Sequence, residues 1–118
     1  MADGDPYVRR VVRDALTPAG LPVIAEARTG LEAVDLALHH RPDFVLMDLV
    51  LPELDAIRAT QRILAEDPDQ RIVIFTGHEL LGLAARRAGA AAFISKDLEI
   101  EALPRLLRAL RPVGSRCA

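Results

Sequence analysis

Phe44-Val45-Leu46-Met47-Asp48 sets four apolar residues directly against a carboxylate. No polar residue alternates within the run, so neither face of a strand over 44–47 is suited to water. Strands of this kind belong to parallel sheets covered on both sides. Ile72-Val73-Ile74-Phe75 repeats the pattern, and Ala91-Ala92-Phe93-Ile94 repeats it more weakly. Outward from these runs the period changes to that of helices. A helix capped by Thr29, with Leu31, Val34 and Leu38 inward, ends at His39-His40-Arg41-Pro42. Val23-Ile24-Ala25 reads as a short strand before it. Val8, Val11, Val12, Ala15 and Leu16 share one face of a first helix, with Arg9, Arg10, Arg13 and Asp14 opposite and Asp5-Pro6 as cap and first residue. On the other side, helices are expected near 55–66 and near 79–88, the second ended by Gly89. A last helix carries Ile100, Leu103, Leu107 and Leu110 on one stripe. Pro104 requires that helix to start late or bend, because proline is tolerated only in a first turn.

Strands alternating with helices imply right-handed βαβ units and an α/β three-layer sandwich around a parallel sheet. With 118 residues, one domain is expected over 1–111, with 112–118 as a tail or the start of a linker. Three Phe, one Tyr and no Trp leave the core to Val, Ile, Leu and Ala. A net charge of −2 gives no general attraction to nucleic acid or anionic lipid. Cys117 is the single cysteine and cannot form an internal disulfide, which favours a reducing cytoplasm. No stretch approaches the roughly 20 apolar residues of a membrane helix.

In open parallel sheets the functional crevice lies beyond the carboxyl ends of the strands. Those ends are Asp48, then Thr76-Gly77, then Ser95-Lys96, with Asp3 and Asp5 just before the first helix. Carboxylates without imidazole suit a hard cation such as Mg²⁺. A lysine and a hydroxyl suit the oxygens of a transferred phosphoryl group. Asp48 would then be the nucleophile, forming an aspartyl phosphate. A strand-end Asp, an ordinary turn at Thr76 and a surface Lys96 are the bland alternatives, and the coincidence of all three at one rim argues against them. His39 and His40 read as solvated helix-end residues, and His78 as a rim-loop residue influencing access to Asp48. Arg86, Arg87, Arg105 and Arg108 read as solvated helix faces, with a docking face as the alternative.

FVLMDLVLPELDAI, with Asp48, Pro52, Asp55 and Ile57 in place, resembles the phosphoacceptor motif of the receiver domains of bacterial two-component response regulators. IVIFTGH, RRAGAAAFISKD and ADGDPYVRR resemble that family's other segments, so the likeness covers residues 2–110. The FISKD ending is similar to the subgroup that usually precedes a LuxR-type helix-turn-helix. The resemblance implies a flavodoxin-like sheet in 2-1-3-4-5 order and a cytoplasmic switch phosphorylated on Asp48 by a sensor histidine kinase. It also implies Mg²⁺ held by Asp3, Asp5, Asp48 and the Val50 backbone carbonyl, Lys96 paired with the phosphoryl group, and Thr76 and Phe93 as switch residues. Such a chain is a signalling component with at most slow autodephosphorylation, not a turnover enzyme. No nucleic-acid binding is expected of the chain itself.

Two departures qualify this. Gly4 stands where the family places a second acid, the direct metal ligand, and Asp5 serves more naturally as a helix cap. Only Met1 and Ala2 precede the acidic loop, where a central strand of about five residues is expected. Each unsatisfied buried backbone group costs roughly 1–3 kcal/mol, and a whole strand of them rivals the roughly 5–15 kcal/mol stability of a domain. Three readings are open: a true start upstream of Met1, a strand supplied by a partner chain, or a sheet closed in a distorted register. The first is favoured, and an exposed edge predicts a homodimer or domain-swapped dimer. Two other functions compete. One is a pseudo-receiver, an interaction module poorly phosphorylated because of Gly4. The other is a haloacid-dehalogenase-type phosphatase suggested by Asp3-x-Asp5, which lacks the apolar strand that chemistry needs.

Overall fold

A computed structural model describes residues 1–77, 79–98 and 100–110. Expectations for His78 and for the tail 112–118 fall outside the described residues.

The three apolar runs form a parallel sheet of β1 (Phe44–Asp48), β2 (Arg71–Thr76) and β3 (Ala92–Ser95), in that order. Its register pairs Met47 with Ile74, Asp48 with Phe75, and Thr76 with Ser95. Because side chains alternate across a strand, β1 and β2 feed two cores. Val45, Met47, Ile72 and Ile74 pack with α2 (Gly30–His40), α3 (Ala56–Glu66) and α4 (Glu79–Arg87). Leu46, Val73, Phe75 and Ile94 pack with α1 (Pro6–Leu16) and α5 (Leu103–Ala109). Ile72, Val73 and Ile74 are fully buried, each worth roughly 1.5–3 kcal/mol. The result is the expected three-layer sandwich.

Helix boundaries follow local chemistry. Asp5, Thr29 and Asp55 cap α1, α2 and α3, accepting from the N–H groups of Tyr7, Glu32 and Arg58. Gly89 at φ 112° follows α4, and Gly89 N–H donates to the Arg86 carbonyl. A 3-10 turn over Ile100–Ala102 precedes α5, which places Pro104 in its first turn and so resolves the conflict with helix geometry.

Two local expectations are corrected. Leu31 is 41% exposed; Val34 packs against the core as expected, partly buried, but the fully buried face of α2 is Gly30, Ala33 and Ala37. Small residues win because the helix approaches the loop after β1 closely: a Cβ on Gly30 would lie 1.7 Å from the Leu54 carbonyl oxygen. Val23-Ile24-Ala25 is not a strand, and Ile24 is 44% exposed. Among the described residues its pairing is limited to single contacts: the Met1 amino group donates to the Ala25 carbonyl, and the one regular bridge falls at Ala27.

The first strand is reduced to one residue in regular register. Ala2 makes parallel bridges to both Ala27 and Met47. Ala2 N–H donates to the Leu46 carbonyl and Asp48 N–H donates to the Ala2 carbonyl, both at 2.8 Å. On the other side Ala27 N–H reaches the Met1 carbonyl at 2.8 Å, and Asp3 N–H reaches the Ala27 carbonyl at 3.0 Å. The spatial order is thus the expected 2-1-3-4-5 with its first two members shrunk to bridges. Behind Ala2 lies a cavity of about 280 Å³, lined by Met1, Val23, Ala25 and Phe44, with Leu16 and Leu107 from one layer and Ala33 and Ala37 from the other.

Candidate functional site

The parallel sheet brings three chain ends to one rim. β1 delivers Asp48, and β2 delivers Thr76 one residue beyond Phe75, the register partner of Asp48. β3 ends at Ser95, so the next residue, Lys96, turns over the rim. Its N–H donates to the Thr76 carbonyl at 2.9 Å, and Ser95 Oγ accepts from Asp97 N–H at 3.1 Å. The Ala2 bridges carry Asp3 alongside.

Lys96 Nζ sits between two carboxylates, 3.0 Å from Asp48 Oδ1 and 3.1 Å from Asp3 Oδ2. It also lies 5.7 Å from the centre of the Phe75 ring. Asp3 is 2% exposed. Its Oδ1 accepts from Asp5 N–H at 2.8 Å, and its backbone carbonyl accepts from Arg9 Nη1 at 2.6 Å. Burial pushes the Asp48 carboxyl above its ordinary range and the Asp3 charge adds to this, while Lys96 opposes both. For Lys96, burial favours the neutral amine, but the two carboxylates together outweigh it and raise its pKa. The Asp48 carboxylate is therefore partly desolvated, 17% exposed at the side chain, and paired with Lys96.

The loop after Asp48 is anchored from below. Leu49, Leu51 and Leu54 are buried, whereas Val50 is 67% exposed. Gly30 N–H ties the loop down at the Pro52 carbonyl, 3.2 Å away. Thr76 is buried at 1% exposure. Beside it, Gly77 is exposed, and among the described residues a Cβ on it would meet nothing within 4 Å beyond its chain neighbours. Phe93 is partly buried against the α2–α4 core.

The structure thus brings together Asp3, Asp48 and Lys96, with Thr76 and Val50 on the adjoining rim. Asp5 is exposed, and its carboxylate is engaged as the α1 cap. Among the described residues no group of three or more His, Cys, Asp or Glu side chains is placed to hold a metal. Two carboxylate oxygens nevertheless converge on one cationic centre, Lys96 Nζ, which is the donor chemistry a hard cation with a largely aqueous shell accepts. Arg9 was assigned by periodicity to the solvent face of its helix, yet its side chain is only 13% exposed and meets the acidic loop. No residue pattern marks that contact, since it depends on how the loop folds back over the helix. Phe75 was read as core alone, and its ring also faces Lys96.

The frame is thus a parallel α/β sandwich with a buried Asp3, a half-buried Asp48 and Lys96 at its strand ends. The response regulator receiver domain profile matches residues 1–108, and the chain belongs to that family. It is 34% identical over 103 residues to the chemotaxis protein CheY of Bacillus subtilis (strain 168), covering 86% of each chain. It is 39% identical over 102 residues to protein-glutamate methylesterase/protein-glutamine glutaminase 4 of Myxococcus xanthus (strain DK1622), covering 83% of this chain and 29% of that protein. The chain spans less than a third of the length of the methylesterases it matches first. A two-component response regulator of the LuxR family from Aurantimonas sp. SI85-9A1 superposes with a TM-score of 0.87 at 36% identity, over 92% of this chain and 80% of that one. No described helix is long and apolar enough to cross a membrane.

Proposed function

We propose that this chain is a phosphoacceptor switch in a two-component relay, with Asp48 receiving the phosphoryl group from a phosphohistidine of a sensor kinase. A carboxylate oxygen of Asp48 forms the new P–O bond as the P–N bond to the kinase imidazole breaks, and the imidazole leaves with the electron pair. Hydrolysis of the aspartyl phosphate by water returns the carboxylate and inorganic phosphate. The observation that carries this reading is the position of Lys96 Nζ, 3.0 Å from Asp48 and 3.1 Å from Asp3. There it can pair with phosphoryl oxygens without leaving its lysine backbone anchor at Thr76.

Mg²⁺ would be held by Asp3, Asp48 and the Val50 backbone carbonyl, and it would neutralise charge on the transferred group. Asp5 is a weaker candidate because it already caps α1. Thr76 would follow the phosphoryl group and Phe93 would respond with it, shifting the population of the face formed by α4, β3 and α5. Membership of the receiver family supports a cytoplasmic location and a histidine-kinase partner. The likeness to a LuxR-family regulator supports an output in transcription.

The second reading, a pseudo-receiver that binds partners without efficient phosphorylation, is favoured by one observation: Gly4 contributes no acid, and the described residues hold only an acid pair. Incubation with Mg²⁺ and acetyl phosphate, followed by intact-mass measurement, separates the two. One added phosphoryl mass, lost in Asp48→Asn, is expected. No adduct in the wild type makes the pseudo-receiver the correct reading.

A further inference from the structure

Asp3 lies between the bridged Ala2 and the exposed Gly4, and its N–H donates to the Ala27 carbonyl. A side-chain clasp closes over this point. Arg9 Nη1 donates to the Asp3 carbonyl at 2.6 Å, and Arg9 Nε lies 3.5 Å from Glu26 Oε1. Glu26 Oε2 is in turn held by Arg13 Nη1 at 2.7 Å. The residue after Glu26 is Ala27, whose carbonyl accepts from Asp3 N–H. The circuit Asp3–Arg9–Glu26–Ala27–Asp3 is therefore closed, Arg9 holding the backbone of the acidic loop while Lys96 holds the Asp3 carboxylate.

We propose that Arg9 is the positioning residue that sets Asp3 against Asp48 and Lys96, its guanidinium fixing the backbone of the acidic loop to Glu26. The inference rests on the metal-assisted reading of the site given above. A guanidinium suits the task because its rigid fork meets two acceptors on different segments at once, a backbone carbonyl and a carboxylate. An ammonium meets them only one at a time.

Titration of wild type, Arg9→Ala, Arg9→Lys and a core control, Ile63→Val, with Mg²⁺ alone tests this, with the dissociation constant and Tm recorded for each. Loss of a ligand-orienting contact predicts a dissociation constant about tenfold or more higher in Arg9→Ala, with Ile63→Val within twofold of wild type despite its lower Tm. Arg9→Lys, able to meet one acceptor, should recover Tm more than Mg²⁺ affinity. An Arg9→Ala affinity within twofold of wild type overturns the proposal. Should Arg9→Ala fail to fold, the same criterion is applied to Arg9→Lys. Should the wild type bind no Mg²⁺, the metal-assisted reading fails by itself, and amide exchange in the metal-free protein decides the clasp. The Asp5 N–H, which donates to Asp3 Oδ1, should then exchange faster in Arg9→Ala, and an unchanged rate overturns it.

Discussion

At the residue scale, Asp48 pays for its position in stability. Burial raises its carboxyl pKa in the folded chain, so the unfolded chain holds the charged form more comfortably. The sign follows from linkage: stability falls as pH rises from the ordinary carboxylate range through the higher folded value. Asp48→Asn should therefore melt at a higher temperature than wild type at pH 7. The charge-dependent difference should shrink as the pH is lowered through the raised folded value and be gone below about 4, where the unfolded carboxyl is also protonated. Thermal melts across that range check it, and a neutral-pH Tm below wild type would show that the pairing with Lys96 outweighs desolvation. Lys96 has the opposite sense, since its raised pKa lends stability that is full below 10.5 and lost as pH climbs beyond it. Gly4 offers a gain-of-function change. A Cβ there meets Pro52 Cδ at 3.6 Å and the Arg28 carbonyl at 3.8 Å, ordinary contacts that leave room for a side chain. Gly4→Asp should tighten Mg²⁺ binding by roughly tenfold through an added carboxylate, read by calorimetric titration.

Among the elements, α2 shows how a site can depend on a residue far from its chemistry. Gly30 lets the helix start pass against Leu54 in the loop that follows Asp48, and its N–H holds Pro52. A methyl group at that point must displace backbone, not a flexible side chain. Gly30→Ala should cost roughly 3 kcal/mol, a fall in Tm of roughly 10–20 °C for a domain this size. It should also shift the NMR resonances of residues 49–55. Thr29 as cap was legible in the sequence because it depends on a neighbour three residues away. The inward face of α2 was not, because Ala33 and Ala37 beat larger side chains only where the opposing surface comes close.

For the whole molecule, the decisive feature is the gap behind Ala2. The buried Met1 amino group donates to the Ala25 carbonyl at 3.2 Å, and burial lowers its pKa to about 6. A peptide bond at that position would remove the charge and continue the pairing on both sides. Five β-branched residues placed ahead of Met1 should fill the cavity between the two helical layers and raise Tm by roughly 5–10 °C, as measured by calorimetry. An unchanged Tm would mean that the flanking segments do not accept a strand. The sequence by itself determined the alternating strands and helices, the parallel sheet, and the placing of Asp48, Thr76 and Lys96 at one rim. Those follow from short-range periodicity and from the rule that parallel strands end on the same side. Tertiary structure alone decided that Asp3 and not Asp5 joins Asp48 at Lys96, that Arg9 turns from solvent to the acidic loop, and that Ala2 bridges Ala27 and Met47. Each of these rests on contacts between segments distant in the chain or folded back on themselves, where packing and hydrogen-bond geometry override what the local pattern records.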